Sequence, residues 1–174
     1  MSEALGLPRI IPRERAVAEI TAARGASPCL VCALRDGVAG PRHVLAAGAR
    51  TTVMLPHYAV RWGHTLILIN EHVTRFEELS AETWQEATGL VLCAARALER
   101  ALRPARCYVA SLGAASDDLP MTSPHLHLHV IPIYQAEDKP SAVLTWDRGV
   151  TVADEEEWAE LHRILLAAWE PRPH

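Results

Sequence analysis

The sequence predicts an α+β fold: an antiparallel β-sheet with one long helix and a C-terminal helix. Three observations lead there. Short β-branched or aliphatic runs bounded by turn residues occupy 43–46, 51–55 and 65–69, as strands do. A long amphipathic stretch follows Ser80, and a second strand-like group lies beyond it. The order strands, helix, strands, helix is that of an α+β domain.

Residues 1–12 carry Pro8 and Pro12 and read as an arm. A short helix is predicted over 13–24, with Val17, Ile20 and Ala23 or Arg24 at helical spacing and Gly25 closing it. Pro28 then leads into a knuckle, Cys29-Leu30-Val31-Cys32. The long helix is capped by Ser80, with Leu79 and Trp84 placed as a hydrophobic staple and Glu82 in the first turn. Trp84, Ala87, Val91, Ala94, Leu98 and Leu102 form its apolar face until Pro104 ends it. Strands are expected over 106–112 and 123–133, separated by a polar loop. A last helix runs over 155–169, capped by Asp154 with Glu157 at the third position and Trp158, Leu161, Leu165 and Ala168 as its stripe. Three segments follow: an arm with a short helix (1–27), a central body (28–147), and a C-terminal helix and tail (148–174).

Composition narrows the function. Of 174 residues 49% are apolar and 22% charged, a globular balance that excludes wholesale disorder. The net charge of −4, without a Lys/Arg cluster, excludes holding a nucleic acid duplex by bulk charge. An anionic ligand must therefore be held locally. No apolar run is long enough to span a membrane, and the N-terminus lacks the order of a secretory signal, so a cytoplasmic location is expected.

Nine histidines stand beside four cysteines. In a cytoplasmic chain this is no disulfide framework. Cys93 and Cys107 sit alone in apolar surroundings as core-filling thiols, whereas Cys29 and Cys32 form a metal clip, a redox pair, or a metal-free knuckle. His125-Leu126-His127-Leu128-His129-Val130-Ile131 places three imidazoles at spacing two. On a strand they share one face, with Leu126, Leu128 and Val130 on the other. Such a row suits a metal site or nucleophilic catalysis on phosphorus, in which a neutral imidazole attacks and its neighbours fix its tautomer.

The run from His125 to Pro132 resembles the signature of the histidine-triad (HIT) nucleotide hydrolases and transferases. The segment Gly63-His64-Thr65-Leu66-Ile67-Leu68-Ile69-Asn70-Glu71-His72 is similar to that family's Gly-His-strand-His segment. The helix after Leu79 and the strand leading to Gly113 fall in matching places, so the resemblance covers 28 to about 134 and makes 28–147 a catalytic domain. It implies that His127 attacks the α-phosphorus of a nucleotide conjugate, forming a nucleotidyl-histidine that water or an acceptor resolves. His129 would bind a phosphate oxygen and help protonate the leaving group. Zinc-bearing members of the family pair two cysteines with the histidine ending the Gly-His segment and with the first triad histidine. The resemblance thus implies a structural Cys2His2 zinc site of Cys29, Cys32, His72 and His125, competing with a phosphate-binding role for His125. His64, an even eight residues before His72, is expected to face the site.

The chain also departs from the family pattern. Where many members carry a ribose-binding Asp, it has Leu55-Pro56-His57, and the loop before the triad is rebuilt, leaving Thr122 and Ser123 as candidate phosphate-binding hydroxyls. Histidine at 129, where the sugar-phosphate transferases have Gln, resembles the hydrolase branch. The expected activity is hydrolysis releasing a nucleoside monophosphate. The alternatives are transfer to a small-molecule acceptor and a nucleotide-binding or regulatory module with little turnover; a catalytic metal held by the triad would leave Cys29 and Cys32 unexplained. The expected partners are a nucleotide or its conjugate and a second copy of the chain. Family members pair through the long helix and neighbouring strand, which makes Trp84 and Val91 contact candidates.

Overall fold

A computed structural model of the chain describes residues 8–113 and 123–170. Five strands form one antiparallel sheet: β2 (His43–Ala47), β3 (Thr51–Leu55), β4 (Thr65–Ile69), β5 (Arg106–Ala110) and β6 (His127–Ile133), in the order β2-β3-β4-β6-β5. Two three-residue strands, β1 (Arg9–Ile11) and β7 (Val150–Val152), pair separately. Among the described residues the α-helices are α1 (Arg13–Arg24), α2 (Leu30–Arg35), α3 (Ala81–Leu102), α4 (Pro140–Leu144) and α5 (Glu155–Ala168), with a 3-10 turn at Phe76–Glu78.

The central strands β3 and β4 of the sheet are buried along their whole length, which is why β4 reads as a nearly continuous apolar run. One face carries Val53, Leu55, Ile67, Leu128 and Val130 into the main core against α3 and α5. The opposite face carries Met54, Leu66 and Leu68, packed on Cys29 and Val31 of α2. Within α3 the core residues are Ala87, Leu90, Cys93, Ala94, Ala97 and Leu98, so the buried face is turned slightly from the expected stripe. Val91 is half-buried, while Trp84 stays 40% exposed with its ring edge-on to Phe76 and Leu79 packs on the core. The turned face buries Glu86, whose carboxylate accepts from Thr51 Oγ1 at 2.6 Å and from the Arg50 amide at 2.9 Å. Arg103 ends α3 in the left-handed region, immediately before Pro104.

Other sequence expectations shift where tertiary contacts override local pattern. In α1 the buried residues are Ala16 and Ile20, because Ala16 packs under the small sheet with Ile11 and Val150. The expected arm thus contributes a strand. The cysteine knuckle is the start of a helix, with Cys29 at the cap of α2 and its sulfur accepting from the Cys32 amide. β5 stops at Ala110 rather than residue 112: Gly113 passes so close to the Ser123 carbonyl that a Cβ would lie 3.2 Å from it. β6 starts at His127, not Ser123, because Leu126 donates its amide to the Val73 carbonyl and the Ile69 carbonyl meets the His125 ring. The Asp154–Glu157 capping box is formed as expected. The loop residues 114–122, Thr122 among them, lie outside the described residues. No helix among those described is long and apolar enough to cross a membrane.

Three histidines without sequence spacing converge on α5. His43 lies 5.6 Å from the His57 ring, 5.7 Å from that of His162 and 6.5 Å from Trp158. Burial depresses the His43 pKa, Glu155 opposes the shift, and His57 and His162 add to it. A histidine whose folded pKa lies below its unfolded value of about 6.5 adds nothing above that pH and destabilises as pH falls below it, because the unfolded chain takes up the proton first. Buried His64 acts with the same sign. Urea unfolding should therefore show stability declining from pH 7.5 to 5.5. His43→Gln should make that decline shallower; an unchanged decline would show that His43 does not contribute.

Candidate active site and metal cluster

The register of β4 with β6 sets Leu68 opposite His127 and Leu66 opposite His129. Alternation then puts both imidazoles on the sheet face away from α3, with Ile131 and Ile133 continuing the same row. On this face lies a cleft open to solvent. His64, His127, His129 and Ser123 supply its polar lining, and α1, α2, Tyr58 and Trp146 supply apolar walls.

Hydrogen bonds to the backbone assign the ring tautomers. The Nδ1 of His127 lies 2.7 Å from the His125 carbonyl, which can only accept, so Nδ1 carries the proton and Nε2 keeps a free lone pair. The Val60 amide donates to His64 Nδ1 at 3.3 Å, so His64 carries its proton on Nε2. That proton faces His129 Nδ1 at 2.9 Å, leaving His129 with a proton on a buried Nε2 that has no partner among the described residues. The rings of His64 and His129 are nearly parallel with centroids 5.1 Å apart, side by side across this hydrogen bond, and His127 meets His129 edge-on at 4.7 Å. Burial holds all three neutral. It pushes His64 down to about 3, with help from His127, and lowers His127 against the opposing hydrogen bond from the His125 carbonyl. His129 is driven well down by burial and by its two imidazole neighbours. The arrangement presents an uncharged nucleophilic nitrogen beside an unspent N–H donor.

His125 does not join this row. Lying just before β6, it turns its Nδ1 to within 3.4 Å of both Cys29 Sγ and Cys32 Sγ, and its Nε2 lies 2.8 Å from the Ile69 carbonyl. His72, exposed after β4, brings Nδ1 to 3.5 Å from Cys32 Sγ. The four donor atoms of Cys29, Cys32, His72 and His125 all lie within 4.8 Å of one another. A tetrahedral ion with sulfur at about 2.3 Å and nitrogen at about 2.0 Å would hold S···N edges of about 3.5 Å, so the spacings fit a bound metal. The bond to Ile69 fixes the His125 tautomer with Nδ1 free to ligate, as an outer-shell partner does. Burial raises the Cys29 thiol, but contacts with His125, the Cys32 amide, Ser123 and Cys32 outweigh it and bring it to about 6. Burial and the neighbouring Cys29 push Cys32 up to about 11.

The structure thus brings the expected residues together in two groups: His64, His127 and His129 in the cleft, and the Cys2His2 set behind it. Ser123 touches both, lining the cleft with Oγ 3.6 Å from Cys29 Sγ. Pro56 and His57, which stand where the resembled family carries an Asp, line the cleft as well. Tyr58, Trp146 and Ile20 also line it and were not singled out in the sequence. Tyr58 sits just before the Gly-His segment and was detectable by proximity; Ile20 and Trp146 carry no local signal.

Residues 40–136 match the HIT domain. No match was found among curated proteins. Among solved structures, the chain is similar to a Zn-bound histidine triad family protein from Mycobacterium smegmatis. The two are 24% identical, with 83% of this chain and 94% of that one covered and a TM-score of 0.61. A hypothetical histidine triad nucleotide-binding protein from Sulfolobus tokodaii is 18% identical, with 80% and 91% covered and a TM-score of 0.62. A HIT family protein from Bacillus anthracis is 25% identical, with 65% and 78% covered and a TM-score of 0.54.

Proposed function

The chain belongs to the HIT family, and from that premise we propose that it hydrolyses nucleotide conjugates at the α-phosphorus through a covalent intermediate on His127. The observation that carries this reading is the His127 tautomer: Nδ1–H is committed to the His125 carbonyl, and Nε2 is left as a neutral nucleophile lining the cleft.

In the first step the Nε2 lone pair attacks phosphorus, and the bond from phosphorus to the leaving atom breaks with its electron pair going to that atom. His129 holds a phosphoryl oxygen through Nε2–H on the side of the leaving atom, and the leaving atom departs with a proton drawn from solvent. In the second step water attacks, the P–Nε2 bond breaks with its pair returning to His127, and the proton released by water returns to solvent. The products are a nucleoside monophosphate and the protonated leaving group. His64 acts as a positioning residue that keeps the proton of His129 on the reacting side.

Cys29, Cys32, His72 and His125 would hold zinc. A full set of four protein ligands supplies a structural tie, not an open coordination position. The tie would join α2 and the end of β4 to the residue whose carbonyl orients His127. The zinc-bound relative and the nucleotide-binding relative support this reading. A homodimer pairing through α3 and β5 belongs to it too, supported by exposed Trp84 and by Val109 on the edge strand, 52% exposed.

Incubation with adenosine 5′-phosphoramidate and acid-free quenching should give protein heavier by one adenylyl group, together with released monophosphate. Tight nucleotide binding with neither adduct nor product would replace the hydrolase by the binding-module reading, which the missing ribose carboxylate at Pro56 favours.

A further inference from the structure

The row of side chains on β6 has a direction. From His127 it runs to His129, then to Ile131 and Ile133, away from the cysteine cluster at the strand's beginning. Ile131 and Ile133 form a buried cluster with Val60 and Val143, and Trp146 packs on it. Trp146 also lines the cleft that holds His127 and His129. Its indole therefore borders the site beyond His129, on the side opposite α2 and the cysteines.

The backbone under this indole is unusual. Trp146 has φ 60, in the left-handed region that a bulky side chain seldom enters and that costs free energy for any residue with a Cβ. Asn or Gly would occupy the turn more easily. The conformation is pinned by hydrogen bonds from the Trp146 amide to the Val143 carbonyl and from the Gly149 amide to the Trp146 carbonyl, at 3.3 and 2.8 Å. The indole is half-buried: it packs against two apolar clusters and also borders the cleft. Trp146 lies outside residues 40–136, as does Ile20, which lines the cleft from α1.

We propose that Trp146 is a specificity-determining residue that stacks on a planar aromatic leaving group. The assignment rests on the hydrolase reading above, because His129, the residue between nucleophile and indole, is there the group that faces the leaving atom. The substrate class becomes a nucleoside 5′-phosphate joined through phosphorus to an aromatic amine or alcohol.

The test uses two adenosine 5′-phosphoramidates that differ only in the amine, 2-phenylethylamine or 2-cyclohexylethylamine, which are close in size but differ in aromaticity. Each variant is therefore compared with wild type on the same conjugate. Wild type should prefer the phenyl conjugate. Trp146→Ala should lower kcat/KM for it about five- to tenfold and for the cyclohexyl conjugate less than about twofold, while Trp146→Phe keeps most of the preference. Equal losses on both conjugates would overturn the proposal and leave Trp146 a packing residue. A loss that follows replacement of adenine by uracil, whatever the amine, would also overturn it by placing the indole against the base. If wild type turns over neither conjugate, the hydrolase reading has failed. The same ratio is then read by calorimetric binding of the two intact conjugates, where equal weakening by Trp146→Ala would overturn the stacking assignment as well.

Discussion

Replacing His127 by alanine is expected to abolish adduct formation and to lower monophosphate release at least about 10⁴-fold. The size follows from what the ring does. Its Nε2 is the sole lone pair that the two assigned tautomers leave free between His127 and His129, so no neighbour can take over the attack. His129 cannot substitute, since its Nδ1 is engaged by His64 and its Nε2 carries a proton. His129→Ala should cost less, about 10²- to 10³-fold, and should still give adduct when the leaving group departs readily, because that variant loses charge stabilisation and not the nucleophile. Intact-mass measurement of quenched mixtures separates the two. Adduct in His127→Ala, or equal losses in both variants, would show that another atom attacks.

The histidine strand was legible because alternation is a local property. Three histidines at spacing two must share a face if the segment is extended, and Leu126, Leu128 and Val130 do enter the main core. Alternation alone did not show that His125 leaves this face; only the family resemblance implied it, by making His125 a partner of the two cysteines. Its displacement depends on the side-chain contact with the Ile69 carbonyl and on the cysteines of α2, partners 56 and 96 residues away. Glu86 shows the same limit: a charged residue at helical spacing reads as solvent-facing until Thr51 and the Arg50 amide are brought to its carboxylate. β1 and β7 carry three residues each, too few for any periodicity, and exist because they pair with each other. Ile20 and Trp146 reach the cleft from opposite ends of the chain. Where chemistry needs several side chains on one element, the sequence displays it; where it needs a wall built from separate elements, only the fold does.

Removing the metal should have the second large effect, on stability before activity. Purified chain is expected to carry one zinc, and Cys29→Ser should lose it. Apparent binding free energies for structural zinc in small domains run to about 10–16 kcal/mol at neutral pH, so even partial coupling to folding should cost at least about 3 kcal/mol. For a chain of this length that lowers Tm by about 6–12 °C, readable by calorimetry with and without chelator. The loss should extend to catalysis, because His125, which would ligate through Nδ1, is also the residue whose carbonyl holds His127 Nδ1–H. A loosened His125 frees the nucleophile to adopt the wrong tautomer, so kcat should fall further than KM rises. Cys32→Ser and His72→Ala should behave likewise, with His72→Ala mildest because its ring is exposed. His129→Ala must leave the metal in place. If it strips the metal while Cys29→Ser retains it, the ion sits in the triad, the cluster behind the cleft is a pair of packed thiols, and His127 is a ligand instead of a nucleophile.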